Sequence, residues 1–243
     1  MIYFRQVYKK FTQPILEDIS FSLPSSGVVA VIGPNGHGKT TSLKMMLELL
    51  PPDQGEILFD SSLGKNQKER KYRRGFMPER PIIFPFLSGR EYLRHFCSFY
   101  FPKKSKEDVE EKIENLANYL ELGKFLEQKI EGYSKGMCQK LCFIASALHL
   151  PQCLILDEPF SGLDPRGRDL LKSYLKEHYS PSSQKLLIMT GHVLAEIEEM
   201  AQYILVLQNK KLHFAGENKH FFSTIDTQKI FEHQFESEVN IDR

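Results

Sequence analysis

The sequence predicts an α/β fold: a parallel sheet flanked by helices, with an antiparallel β-subdomain and a helical subdomain. Three observations carry this. Four short apolar runs, Val28 to Ile32, Leu154 to Leu156, Leu186 to Met189 and Ile204 to Leu207, are separated by polar or helix-like sequence. Continuous apolar runs belong to strands covered on both faces, and their alternation with helical sequence implies βαβ units. Residues 2–8 and 15–23 instead alternate apolar with polar, as half-buried antiparallel strands do. Between about 85 and 150 the apolar spacing becomes three and four, as in amphipathic helices.

Taken in order, residues 2–8 and 15–23 are the antiparallel strands, and 28–32 is the first buried strand, ending in Gly. A helix follows from Thr41 to Leu50 and is ended by Pro51 and Pro52, since proline cannot continue the backbone ladder. The helical region is marked by Tyr92, Phe96, Phe99 and Tyr100, then by Val109, Ile113, Leu116 and Leu120. The run Lys103 to Glu111 reads as a solvated helix start, with Ser105 and acidic residues suited to the first turn. Its lysines are weak phosphate ligands because the neighbouring acids cancel their field. After residue 216 the chain is polar with scattered Phe, and no function is assigned to it.

A chain of 243 residues can bury roughly 70% of the surface exposed by its unfolded form, enough for an ordinary core. Its 32 Lys+Arg and 31 Asp+Glu leave a net charge of +1, so no nucleic-acid partner is expected. The apolar runs are far shorter than the ~20 residues that cross a bilayer. The alternating start, Met1 to Val7, does not resemble a secretory signal. These features point to the cytoplasm. Cys97, Cys138, Cys142 and Cys153 form no metal-binding spacing and read as buried free thiols.

Residues Gly33-Pro34-Asn35-Gly36-His37-Gly38-Lys39-Thr40 fit G-x-x-x-x-G-K-[ST] between a buried strand and a helix. Glycines let backbone N–H groups turn toward phosphate oxygens, and the helix adds the positive end of its dipole. Lys39 should reach the β- and γ-phosphates, and the Thr40 hydroxyl should bind Mg²⁺. His37 occupies a variable position and reads as a spacer. A triphosphate site also needs a carboxylate for Mg²⁺, and Asp157 stands where the strand 154–156 emerges. Glu158 follows at once; with a turn at the strand end, Asp157 can serve the metal while Glu158 faces an attacking water.

With these residues in place, residues 1–216 resemble the nucleotide-binding subunit of an ATP-binding cassette (ABC) transporter, a P-loop NTPase. Tyr133-Ser134-Lys135-Gly136-Met137 stands where that family carries its L-S-G-G-Q signature. Ser161-Gly162-Leu163-Asp164 matches the D-loop, and Thr190-Gly191-His192 the switch histidine. Phe11 stands where the family has an aromatic that stacks on adenine; Tyr8 is the alternative, and a core plug the competing reading of Phe11. The resemblance implies an ABC ATPase that binds ATP and Mg²⁺, with residues 85–150 as the helical subdomain and 217–243 as an extension of unassigned role. It implies that Gly33 to Thr41 cradle ATP and that Ser134 and Gly136 of a second ATP-binding subunit cap its γ-phosphate, in a homodimer or heterodimer. Glu158 would be general base, His192 would contact the γ-phosphate and orient the water, and Asp164 would signal across the dimer.

The chain departs from the family pattern at Lys135, Met137 and Glu79. Glu79 stands at the usual Q-loop glutamine and becomes a candidate Mg²⁺ or water contact. These variants resemble export-type cassettes of the bacterial drug, sodium and polysaccharide kind. The resemblance therefore implies an ATPase that drives export through separate integral membrane permease subunits, peripheral on the inner face of the cell membrane. In the family, permeases dock beside the Q-loop; here Ile83, Phe84 and Phe86 either pack under the helical lobe or form that contact. A soluble ABC-type ATPase of an assembly system such as iron–sulfur cluster biogenesis is the alternative, and a non-catalytic scaffold a third reading.

Overall fold

The computed structural model describes residues 1–224. The extension expected at 217–243 therefore lies mostly outside the described residues.

The first two strands, β1 (Ile2–Lys10) and β2 (Pro14–Ser22), pair antiparallel as their alternation predicts. The buried strand β3 (Gly27–Ile32) leads into α1 (Lys39–Met46), which starts two residues before the expected helix and stops before its expected end. Glu48 then adopts a left-handed φ of 57°, which turns the chain before the prolines act. Next come β4 (Gln54–Phe59), α2 (Gln67–Tyr72) and β5 (Arg74–Met77). The helical region holds α3 (Gly89–Tyr100), α4 (Lys106–Tyr119) and α5 (Lys135–Ala147). Ser105 caps α4 by accepting the Asp108 N–H, as expected. The remainder runs β6 (Cys153–Leu156), α6 (Pro165–His178), β7 (Leu186–Thr190), α7 (Leu194–Met200), β8 (Tyr203–Gln208), β9 (Lys211–Glu217) and α8 (Asn218–Thr224).

Among the described residues the strands form a sheet of order β2-β1-β4 and a larger one of order β5-β6-β7-β3-β8-β9. The larger sheet is parallel except for β9. Its continuous apolar strands are explained by two cores. In β3, Val28, Ala30 and Ile32 face the core shared with the helices, while Val29 and Val31 face the core shared with the smaller sheet and α1. The same division separates Leu154 and Leu156 from Cys153 and Ile155 in β6, and Leu187 and Met189 from Leu186 and Ile188 in β7. Successive strand residues point to opposite faces, so a strand covered on both sides needs apolar residues throughout. All four cysteines are free and buried, as expected.

Because β5, β6, β7 and β3 are parallel, their carboxyl ends open on one edge of the sheet. This edge carries Glu79, Asp157, His192 and the 33–40 loop, the usual location of a ligand in open α/β sheets.

His149 is half-buried. Its ring stacks on Tyr100 with centroids 3.7 Å apart, and its Nε2 lies 3.0 Å from the Arg74 carbonyl. A carbonyl only accepts, so Nε2 carries the proton, while the buried Nδ1 has no partner among the described residues. Burial, partly offset by the Arg74 carbonyl, lowers the pKa from 6.5 to about 4. Below pH 6.5 the unfolded chain takes up a proton that the folded chain refuses, so this stability is present above that pH and is lost as pH falls toward 4. Between pH 7 and 5 the loss should be about 2 kcal/mol. Urea unfolding should show a dependence shallower by that amount in His149→Phe, which keeps the stacking; equal slopes would mean that His149 protonates in the folded state.

Candidate functional site

The loop at 33–40 owes its path to two glycines. Gly33 has φ 144°, and a Cβ there would stand 1.9 Å from the Leu207 carbonyl oxygen of β8. Gly38, the N-cap of α1, has φ 94°, and its Cβ would meet Leu16 at 2.6 Å. No side chain caps α1 and its first turn holds no acidic residue, so its N–H groups and dipole are available to an anion. Lys39 is buried and folds back to donate to the carbonyls of Gly33 at 2.7 Å and Pro34 at 3.1 Å. Burial holds its pKa below the ordinary lysine value, against the opposing pull of Glu158, Asp157 and Glu79.

Asp157 is fixed from two sides. The Thr40 hydroxyl donates to its Oδ2 at 2.7 Å and the Thr190 hydroxyl to its Oδ1 at 2.6 Å. Thr190 Oγ1 also accepts the Glu158 N–H at 2.8 Å. One hydroxyl at the end of β7 thus binds both members of the acidic pair. Glu158 itself has φ 52°, a left-handed conformation uncommon outside glycine and asparagine. That turn resolves the orientation problem of two adjacent carboxylates, since Asp157 points to Thr40 while Glu158 Oε2 lies 3.0 Å from His192 Nδ1. Burial raises the Glu158 pKa, with His192 and Lys39 opposing the rise. With Glu158 ionised, Nδ1 carries the proton that lies between the two side chains.

A cleft of about 360 Å³ brings together Asn35, Gly36, Gly38, Lys39, Thr40, Thr41, Glu79, Asp157, Glu158 and His192, all candidates read from the sequence. Gly33 and Pro34 are buried and contribute the carbonyls that receive Lys39. His37 is more than a spacer: its Nδ1 accepts the Asn209 N–H at 3.0 Å, fastening the loop to the β8–β9 turn. Phe11 is 60% exposed between β1 and β2, with Lys9 Nζ 5.8 Å from its ring centre, which excludes the core-plug reading. Ser134 and Gly136 do not line the cleft; Ser134 caps α5 through the Met137 N–H, and Gly136 abuts the Gly162 carbonyl of the D-loop. Asp164 caps α6 by accepting the Gly167 N–H.

Three contributors escaped the sequence reading. Thr190 appeared only as a neighbour of His192, and Ser161 only as part of the D-loop. Ile15, which lines the cleft, has no local signal because it arrives from another sheet.

The hydroxyl of Thr40 and carboxylate of Asp157 form a hard-oxygen pair suited to Mg²⁺, with the Glu79 carboxylate lining the same cleft. Among the described residues there is no cluster of three or more His, Cys, Asp or Glu residues that could hold a metal.

The family model described as ABC transporter matches residues 16–161. The chain is 34% identical over 199 residues to the uncharacterized ABC transporter ATP-binding protein YhcH of Bacillus subtilis, covering 82% of this chain and 63% of YhcH. It is 33% identical over 199 residues to the bacitracin transport ATP-binding protein BcrA of Enterococcus faecalis, with the same coverages of 82% and 63%. The chain thus spans less than two thirds of the length of either relative. A solved dimer of the ATP-binding cassette MJ0796 bound to ADP and Pi superposes with TM-score 0.79 at 19% identity, covering 90% of this chain and 99% of that one.

Thr190→Val keeps the volume of the side chain but strips the shared hydroxyl from Asp157 and the Glu158 N–H. It should lower unfolding free energy by about 2 kcal/mol in urea titrations, while Thr190→Ser should stay near wild type. Equal stability of the valine variant would mean that the hydroxyl clamp contributes nothing.

Proposed function

The chain belongs to the ABC transporter family, and from that premise we propose that it binds ATP with Mg²⁺ and hydrolyses it to drive export through separate membrane subunits. The observation that carries this reading is the convergence of the phosphate loop, the Asp157 and Glu158 pair and His192 on one cleft.

In this reading the α1 N-terminus and the loop N–H groups bind the phosphates, and Lys39 exchanges its two loop carbonyls for β- and γ-oxygens. Thr40 and Asp157, with Glu79 close by, would hold Mg²⁺, which neutralises charge on the phosphate oxygens. Glu158 takes the proton from the attacking water. Its burial makes it a stronger base than a solvated carboxylate, and its left-handed backbone turns it away from the metal ligand. His192 holds Glu158 through Nδ1 and keeps Nε2 for the water. Phe11, exposed between β1 and β2, is the proposed adenine platform.

Ser134 and Gly136 would act on the nucleotide of a second ATP-binding subunit, an arrangement supported by the dimeric state of MJ0796. Such closure excludes bulk water and strengthens the fixed donors around the phosphates. Transport is favoured over a soluble assembly role by the named activity of BcrA. Export rests on the Lys135 and Met137 signature variant, which resembles that of export-type cassettes. No helix among the described residues is long and apolar enough to cross a membrane. In this reading the spanning segments belong to permease partner chains, as the family resemblance implies. Their docking surface is proposed at Ile82, Phe84 and Phe86, which are 66%, 39% and 67% exposed and follow Glu79 closely. Ile83 packs against the helical core instead. The proposed location is peripheral, on the cytoplasmic face of the membrane. Residues 1–216 are proposed as the ATP-binding unit.

Glu158→Gln should reduce phosphate release by about 100-fold or more while nucleotide affinity persists; unchanged turnover would assign the base elsewhere. Lys39→Ala should weaken ATP binding by about tenfold or more, because a charge-assisted contact to phosphate is lost; retained affinity would contradict the loop assignment. The double variant Phe84→Asp, Phe86→Asp should keep its basal ATP turnover but fail to copurify with polytopic membrane proteins. Unaltered copurification would move the docking surface.

A further inference from the structure

The left-handed Glu158 backbone needs support on its carbonyl side as well as at its N–H. Part of that support comes from Gln139, in the second turn of α5. Gln139 is 1% exposed, and its Nε2 donates to the Glu158 carbonyl at 3.2 Å, with the Pro159 carbonyl at 3.5 Å. The Ser161 N–H reaches the same Glu158 carbonyl at 3.1 Å. The other end of the amide is unused: Gln139 Oε1 is buried and has no hydrogen-bond partner among the described residues. A buried side chain that served packing alone would do better as methionine, which fills a similar volume without an orphaned acceptor. The amide is therefore tolerated for its donor, which is aimed at the peptide joining Glu158 to Pro159.

We propose that Gln139 is a positioning residue for hydrolysis: by holding the Glu158 carbonyl it sets the backbone turn that aims the Glu158 carboxylate at the attacking water. This rests on the reading of Glu158 as general base. The N–H of Glu158 is held by Thr190 from β7 and its carbonyl by Gln139 from α5, so its peptide groups are gripped by two separate elements. Ser134 and Gly136, at the start of α5, are the positions proposed to meet the nucleotide of the second subunit. Gln139 lies on the same rigid helix, so any displacement of α5 is delivered directly to the Glu158 backbone. Sub-ångström to 1 Å errors in the placement of a catalytic group are enough to cost large factors in rate.

The test is steady-state phosphate release by the full chain carrying Q139M, by Q139N, by E158Q and by the Q139M, E158Q double variant, beside equilibrium binding of a non-hydrolysable ATP analogue and thermal unfolding. Q139N keeps the amide but shortens its reach by one methylene, so it serves if the methionine variant does not fold. Either single variant should lower kcat by about tenfold or more, with KM for ATP and analogue affinity changed less than about twofold. In the E158Q background Q139M should produce no further loss, because a residue acting through Glu158 has nothing left to position. Wild-type kcat in Q139M or Q139N, or an equal additional loss in the E158Q background, would overturn the proposal while leaving the base assignment intact. Loss of analogue binding together with a lowered unfolding temperature would also overturn it, by showing a general structural role. Wild-type turnover in E158Q alone would remove the base assignment and this proposal together.

Discussion

Asp157 between the hydroxyls of Thr40 and Thr190 is the contact on which the rest of the site depends. It joins the start of α1, the end of β6 and the end of β7, three elements far apart in sequence. A buried carboxylate with unfilled acceptor sites is costly, and two hydroxyl donors offset that cost without adding charge. The neutrality of those donors matters for the proposed chemistry, because the negative charge of Asp157 is left for a cation. The Thr190 oxygen then orders Glu158 by accepting its N–H. Geometry at the proposed base is thus inherited from geometry at the proposed metal ligand.

The helix that carries the phosphate loop is restrained at its far end too. Glu48, just past α1, pairs with Arg70 at 2.6 Å and Arg74 at 2.8 Å, and both guanidinium groups lie over the Phe59 ring. Arg74 is almost wholly buried at the start of β5. Such a buried cluster adds little net stability over an apolar replacement, but removing one partner strands a charge. Its consequence here is positional: α1 is tied to β6 and β7 at its N-terminus and to α2 and β5 past its C-terminus. The strand that leads to Glu79 therefore shares a register with the helix that presents Lys39 and Thr40.

Much of this was legible in one dimension, and the reasons are specific. Val28 to Ile32 reads as a doubly covered strand because both of its faces are apolar, and the loop that follows reads as a phosphate site because backbone geometry demands its glycines. Asp157 and Glu158 are adjacent in sequence, so their pairing needed no knowledge of the fold. The strands β4, β5 and β9 were not legible. β5 is four residues long and contains Gly75, whose missing side chain admits the Ser146 carbonyl, and β9 is an edge strand with alternating exposure. Thr190, Ile15 and Gln139 were missed because their meaning comes from contacts across the fold rather than from spacing. The setting of His149 was not legible for the same reason: nothing near it in sequence reveals Tyr100 or the Arg74 carbonyl as its neighbours.

The cleft contains donors for the loop side of a triphosphate, three carboxylates and a histidine, yet Ser134 and Gly136 stand outside it, Gly136 beside the D-loop. In the proposed reading one chain is half of a hydrolytic site, completed when α5 of a second subunit arrives over the nucleotide. The most direct measurement is the mass in solution, by light scattering, of the hydrolysis-blocked E158Q chain with Mg²⁺-ATP and then with ADP. The expected result is a doubled mass with Mg²⁺-ATP that returns to a single chain with ADP. A single-chain mass at saturating Mg²⁺-ATP would contradict it.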